Sequence, residues 1–235
     1  QSVCTIKTQG CIKIVRRGFE VFRQVCIACH PAKFIRFREL INVTHTDEEV
    51  RKIASEFQYT DGPNDKGEMF ERPGTISDNF KSPYINNEVA KISNNGALPP
   101  DLSLIVLGRA GHEDYIFSLL TGYCKAPEGI KVEEGQYYNP FMQGGIIAMP
   151  PPLYDDIIEY EDGTPATLSQ VAKDVSMFLN WASDPHRDKR RKEAYYVFLL
   201  GWIPVLCSFY MKRHVWSSVK SNKLYFSKPS KPRYR

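Results

Sequence analysis

Cys26-Ile27-Ala28-Cys29-His30 is the stretch from which the rest of the chain is read. Two cysteines three apart with a histidine directly after them form the pattern that attaches a c-type haem. Positions i and i+3 of a helix share one face, so both thiols point the same way and can form thioethers to the two vinyl groups of one porphyrin. His30 then supplies the proximal imidazole. Phe19, Phe22, Val25, Cys26 and Cys29 recur at helical spacing, which predicts an amphipathic helix over 16–30 with its apolar face toward the haem. Two other readings of the cysteines stand beside this one. Zinc held by Cys26, Cys29 and His30 needs a further ligand, and His45, His112, His186 and His214 are scattered rather than set at finger-like spacing. A thiol redox motif calls for a buried strand upstream, whereas the residues before Cys26 form a charged amphipathic pattern.

A chain of 235 residues, 42% hydrophobic, can bury one good core or a core with a small appendage. The single CIACH implies one haem. Cys4, Cys11, Cys124 and Cys207 show no framework spacing; Cys207 lies in an apolar run, and the pairing of Cys4 with Cys11 stays open. The formal net charge of +4 conceals a division: residues 187–235 hold 13 of the 31 Lys/Arg but, of the 27 acidic residues, only Asp188 and Glu193. An acidic head favours a basic partner, and a basic tail beside an apolar segment favours an anionic membrane surface.

Residues 1–14 are polar and weakly patterned, and lack the charged start and apolar core of a signal peptide, which reads as a processed end. Residues 33–41 mix aromatics with bases, but the acidity of the head argues against nucleic acid. Thr46 and Glu49 form a capping-box pattern ahead of Val50, Ile53, Ala54 and Phe57, which predicts a surface helix. From Asp61 to Pro100 turn signals dominate, so a long loop is expected, with a haem edge as the object it wraps. Helices are expected from Leu98 to Leu107, from Asp114 to Tyr123 and from Leu168 to Trp181, the last packing on the haem helix. Arg109, on a Gly-bounded turn, has forked donors suited to a haem propionate.

Gly144-Gly145-Ile146-Ile147-Ala148-Met149-Pro150-Pro151-Pro152 is the second informative stretch. A thioether opposite a histidine raises the potential of an electron carrier. Of the five methionines only Met149 sits in an otherwise apolar loop fixed by Gly and Pro, so Met149 is the expected distal ligand and His30 the proximal one. Asp155, Asp156, Glu159, Glu161 and Asp162 follow, either as a solvated turn or as a docking surface for a lysine-rich carrier. From Ala194 to Met211 run 18 residues without a charge, at the short end of what crosses a hydrocarbon core of about 30 Å. Tyr195, Tyr196, Trp202 and Tyr210 suit interfacial positions. The division expected is therefore a haem head over 1–186 and an anchor with a basic tail over 187–235, spanning about 194–211.

Taken in order, these segments resemble the cytochrome c1 family. The resemblance covers roughly residues 15–235 and rests on Arg16-Arg17-Gly18-Phe19-Glu20-Val21, Asp61-Gly62-Pro63-Asn64, Arg72-Pro73-Gly74, Asn94 to Ser103 (NNGALPPDLS), Glu113-Asp114-Tyr115, Phe117 to Tyr123 (FSLLTGY), Asp162 to Thr167 (DGTPAT) and Met211-Lys212-Arg213-His214. It implies a mainly α, class-I-like cytochrome c head with long loops and one C-terminal transmembrane helix. It further implies one haem c bound through Cys26 and Cys29, iron ligation by His30 and Met149, Arg109 near a propionate, and Asn94, Pro100 and Tyr115 at pocket positions. The implied role is one-electron transfer from a Rieske iron–sulfur protein to soluble basic cytochrome c, within a dimeric complex containing cytochrome b. The implied location is the inner mitochondrial membrane, with the head in the intermembrane space and the tail in the matrix. A membrane-anchored monohaem cytochrome serving another oxidase or reductase, and a zinc-bound assembly subunit, are the rival readings. Three features depart from the family pattern: Leu107 where a second base is common, the unmatched residues 1–14, and a third proline after Met149.

Overall fold

The computed structural model describes residues 9–222, and the chain divides into two compact units, Gln1–Pro185 and His186–Arg235. In the first unit two helices, α1 (Gln9–Gln24) and α5 (Leu168–Ser183), make the most extensive contact. Along α1, Cys11, Val15, Phe19 and Phe22 are all buried, and their spacing of four, four and three is that of one helix face. Phe22 meets Phe178 of α5 with ring centroids 5.3 Å apart, and Phe178 leans on Trp181 at 5.8 Å. Phe80 joins them, stacked on Phe19 at 6.0 Å and edge-on to Phe37 at 4.8 Å, so five aromatic rings and an indole form the centre of the core. Gly18 lets the two backbones touch: a Cβ there would lie 2.0 Å from the carbonyl oxygen of Asp174 and 2.6 Å from the Phe178 Cβ.

Charge locks the same contact. Asp174 is fully buried, and its carboxylate takes Nε of Arg17 at 2.8 Å and Nε2 of Gln170 at 2.9 Å. Arg16 reaches Glu49 of α2 (Asp47–Ser55) at 3.2 Å. The capping box read from Thr46 and Glu49 is present, each residue's side chain accepting from the other's backbone N–H, at 3.3 Å to Thr46 and 2.8 Å to Glu49. Val50, Ile53 and Ala54 are buried, as the periodicity predicts.

Several sequence expectations are corrected. The first helix begins at Gln9, well before residue 16, and ends at Gln24; Cys26–Ala28 is a separate 3-10 turn. Residues 9–14 therefore belong to the core helix, and Cys11 is disulfide-bonded. Cys4 lies outside the described residues. The stretch 61–100 is not structureless: β1 (Gln58–Asp61) pairs antiparallel with β2 (Phe70–Pro73), and α3 spans Asn87–Ser93. Leu98–Leu107 is not a helix but extended chain followed by turns. Pro99 and Pro100 remove two N–H donors, and the Asp101 carboxylate takes the Ser103 N–H at 2.8 Å, which offers the backbone a turn in place of a helix. Past Gly111, α4 runs from His112 to Thr121, two residues earlier than expected. The two-residue strands β3 (Tyr137–Tyr138) and β4 (Ile146–Ile147) were not foreseen.

The second unit contains α6 (Arg187–Ser221), a helix of 35 residues. At 1.5 Å per residue it is about 50 Å long, more than a hydrocarbon core needs. Its most apolar 18-residue window has a mean hydropathy of 1.6 and no buried residues, so by length and composition it can cross a membrane. The described residues are thus mostly helical, with small sheets and one long apolar C-terminal helix.

Candidate functional site

The CIACH turn closes on itself. The carbonyl of Cys26 accepts both Cys29 N–H at 3.2 Å and His30 N–H at 2.9 Å. In a 3-10 turn residues three apart nearly eclipse, so Cys26 and Cys29 are presented on one side more directly than an α-helix would allow. Both are free thiols, Cys26 half-buried and Cys29 exposed. Burial, reinforced by the neighbouring Cys29, pushes the Cys26 thiol up to about 12.

His30 follows, with Nδ1 2.9 Å from the carbonyl oxygen of Pro100. A carbonyl can only accept, so Nδ1 carries the proton and Nε2 keeps its lone pair. Burial holds the imidazole below the usual histidine value, opposed by the Pro100 carbonyl and by Asp101. The tie to Pro100 is one of four between residues 30–34 and residues 100–103. Leu102 N–H donates to Pro31 O at 2.9 Å, Lys33 N–H to Asp101 Oδ2 at 3.1 Å, and Phe34 N–H to Ser103 Oγ at 3.1 Å. Asp101 and Ser103 were missed from the sequence, although Asp-x-Ser after two prolines is an Asx-turn signal.

Met149 stands two residues beyond β4. The hydroxyl of Tyr123 donates to its carbonyl oxygen at 3.1 Å, and burial raises the Tyr123 phenol well above its ordinary value. The approach to Met149 is organised by Asn139, which is fully buried. Its amide donates to Leu119 O of α4 at 2.7 Å, its backbone N–H to Gly145 O at 2.9 Å, and its side-chain oxygen accepts from Phe141 N–H at 3.1 Å. Neither Tyr123 nor Asn139 was singled out from the sequence; both are polar residues near turns, and only the fold reveals what they hold.

The remaining sequence candidates lie elsewhere in the hydrogen-bond pattern. Asn94 caps α3, donating to Ala90 O at 2.7 Å and to the Tyr84 hydroxyl at 3.0 Å. Tyr115 aims its hydroxyl at the Met142 sulfur, 3.9 Å away. Arg109 is exposed on its turn and makes no ion pair among the described residues, and Leu107 is 56% exposed. Three of the five carboxylates read as a docking surface have local work. Asp155 accepts from Leu168 N–H at 2.7 Å, Glu161 pairs with Arg16 at 3.4 Å, and Asp162 pairs with Arg17 at 2.8 Å.

Chemically, the arrangement offers two thiols on one tight turn, an imidazole with a free Nε2 beside them, and a thioether on a loop anchored through its carbonyl. That donor set fits a porphyrin attached by two thioethers and ligated through nitrogen and sulfur. A zinc site fits less well. Among the described residues no three His, Cys, Asp or Glu side chains converge so as to hold a metal ion, so Cys26, Cys29 and His30 do not form a ready zinc cluster.

The chain is similar to known proteins over most of its length. Residues 11–219 match the model of the Cytochrome C1 family. A protein of Schizosaccharomyces pombe named cytochrome c1, heme protein, mitochondrial, is 51% identical over 217 residues, covering 92% of this chain and 71% of that protein. The cytochrome b-c1 complex catalytic subunit, mitochondrial, of Candida albicans is 49% identical over 218 residues, 92% of this chain and 76% of its own length. The cytochrome c1 heme protein of Saccharomyces cerevisiae is 48% identical over 220 residues, 93% and 71% respectively.

Proposed function

The chain belongs to the cytochrome c1 family, and from that premise we propose that it is the haem subunit of a mitochondrial cytochrome b-c1 complex. In this reading it carries one haem c and relays single electrons from a Rieske iron–sulfur protein to soluble basic cytochrome c. Cys26 and Cys29 hold the porphyrin covalently, and His30 Nε2 and Met149 sulfur hold the iron. Haem supplies the ferrous/ferric couple; the protein fixes its position, sets its potential and excludes other ligands. Arg109 is assigned to a propionate, and Asn94, Pro100 and Tyr115 to the pocket wall.

The observation that carries the reading is the CIACH turn, with both cysteines free and His30 Nδ1 committed to Pro100 O at 2.9 Å. That bond leaves one nitrogen for iron and fixes the ring plane, as partners of metal-bound histidines generally do. The named relatives support haem and mitochondrial residence. The long apolar α6 supports a single-pass anchor in the inner membrane. Haem attachment, which takes place outside the matrix in this reading, directs the head (1–186) to the intermembrane space and the basic tail to the matrix. Cytochrome b is the membrane neighbour of the anchor (187–235, spanning about 194–211), and the complex is dimeric.

Two measurements on the purified full chain test this. Its mass should exceed that of the polypeptide by one porphyrin, and Met149→Leu should lower the midpoint potential and open the ferrous protein to carbon monoxide. A chain weighing no more than its amino acids, or a Met149→Leu titration superimposable on the wild type, rejects it. Co-purification with cytochrome b and a Rieske protein separates the complex subunit from a carrier serving another oxidase.

A further inference from the structure

The loop bearing Met149 is held in an unusual way. Among the described residues, the bond from the Tyr123 hydroxyl to the Met149 carbonyl, at 3.1 Å, is the only hydrogen bond made by any residue from Ala148 to Leu153. Pro150, Pro151 and Pro152 have no N–H to donate, so the chain cannot build a second anchor there from its own backbone donors. Prolines stiffen the strand leaving Met149 but leave its orientation about the preceding bonds undetermined. One phenol supplies that missing constraint.

Tyr123 is itself well fixed. It follows Gly122, at the C-terminal end of α4, where a Cβ would lie 2.4 Å from Phe141 Cδ2 and 2.6 Å from Ser118 O. The absence of a side chain at Gly122 therefore lets Phe141 seat against the helix end. Asn139 binds the same helix end through Leu119 O at 2.7 Å, and β3 pairs with β4 two residues before Met149. The end of α4 thus grips the hairpin at its turn through Asn139 and, just past its open end, through Tyr123.

We propose that Tyr123 is a positioning residue for the sulfur ligand: its hydroxyl fixes the Met149 peptide and so sets how firmly the thioether is presented to iron. This rests on the assignment of Met149 as distal ligand made above, and deepens it. Tyr123 touches neither sulfur nor iron in this role; it acts through the backbone. A neutral hydrogen bond contributes on the order of 1 kcal/mol, so its loss should raise the population with sulfur detached about fivefold.

Tyr123→Phe tests it in the full-length haem-loaded protein, beside Met149→Leu and, as a control outside the site, the exposed Tyr154→Phe. Three properties are read: the charge-transfer absorption of ferric iron bonded to methionine sulfur, carbon monoxide binding by the ferrous form, and the midpoint potential. Expected for Tyr123→Phe are a weakened band, about fivefold more carbon monoxide binding at a subsaturating concentration and a lower potential, with full covalent haem content. Tyr154→Phe should match the wild type and Met149→Leu should lose the band. If Tyr123→Phe matches the wild type while Met149→Leu loses the band, the positioning role is refuted and the ligand assignment stands. If Met149→Leu keeps the band, the assignment fails and this inference with it. Loss of covalent haem in Tyr123→Phe would also overturn it, because the role concerns the sulfur arm and not attachment.

Discussion

His30 and Pro100, separated by 70 positions in the chain, meet at 2.9 Å through an imidazole Nδ1 and a carbonyl oxygen. The bond does two things at once. It chooses the tautomer that leaves Nε2 free, and it welds the CIACH turn to a segment that proline has already excluded from helix. The turn's chemistry thus depends on residues 100–103, which hold no ligand in the proposed site.

Asp101 is the test of that dependence. Its two oxygens accept from Lys33 N–H at 3.1 Å and Ser103 N–H at 2.8 Å, on either side of the joint. Asp101→Ala removes both acceptors and should cost about 2 kcal/mol, toward the low end for two charge-assisted bonds because the site is partly solvated. Guanidinium unfolding of the full chain in detergent reads the loss, and haem content should fall with it. Asp101→Asn keeps one acceptor oxygen and should recover part. Equal midpoints for all three proteins would show that the joint holds without this carboxylate.

Much of this was legible in the sequence because the informative residues are local. Cys26, Cys29 and His30 are consecutive or three apart, Thr46 and Glu49 declare their capping box, and α5 announces itself through its apolar period. The misreadings have physical causes. Cys26 and Cys29 fit an α-helical period, but the period of a 3-10 turn is close enough to mimic it over so few residues. Leu98–Leu107 has helix-like apolar spacing, yet two prolines and an Asx-turn override it. Tyr123, Asn139 and the partly buried Arg17–Asp174 pair act across 26, 20 and 157 positions, distances at which pattern carries no signal.

Gly18 and Asp174 set the crossing of α1 on α5. Gly18→Ala gains about 1 kcal/mol of helix propensity. It also places a methyl 2.0 Å from Asp174 O, in backbone that cannot yield without parting the helices. Overpacking costs about 3 kcal/mol or more in such a site, so the net effect should be destabilising. Asp174→Ala should lose about 3 kcal/mol, since it strands the guanidinium of Arg17, which is only 14% exposed, with Asp162 as its remaining ion-pair partner. Denaturation midpoints of the two variants decide both; a Gly18→Ala protein as stable as the wild type would mean the helices separate at little cost.

Electrostatic steering of a basic acceptor must rest on fewer charges than the sequence suggested. With Asp155, Glu161 and Asp162 engaged locally, Asp156 and Glu159 are the two whose carboxylates make neither a hydrogen bond nor an ion pair among the described residues. Joint Asp156→Asn and Glu159→Gln substitution should slow reduction of a lysine-rich cytochrome at low ionic strength, and leave it unchanged near 0.1 M salt or above, where the screening length is about 10 Å. Asp162→Asn should instead lower stability, because it removes a partner of Arg17. Stopped-flow rates across a salt series make the comparison, and identical rates at every salt concentration would remove these two residues from the encounter.

The acid limb of stability should carry the signature of His45. It is buried, its Nδ1 2.7 Å from Thr44 Oγ1 and its ring edge-on to Phe19 at 5.2 Å. Burial chiefly, and then the neighbouring Arg16 and Arg23, push it down to about 4 from 6.5, while Glu49 and Glu161 oppose the shift. Between those two values the unfolded chain binds a proton that the native imidazole refuses. Stability due to this group is therefore fully present above pH 6.5, falls as the pH drops, and levels off below about 4. One proton limits the slope to about 1.4 kcal/mol per pH unit. Glu49, held low by the Thr46 N–H and Arg16, adds a fall of the same sign starting nearer its own ordinary value of 4.5. The two are separated by His45→Gln, which should flatten the profile from pH 6.5 to 4.5 and keep the steeper acid end. Unfolding free energies of both proteins at several pH values across that range provide the measurement, and parallel curves would mean that His45 titrates alike in the folded and unfolded chains.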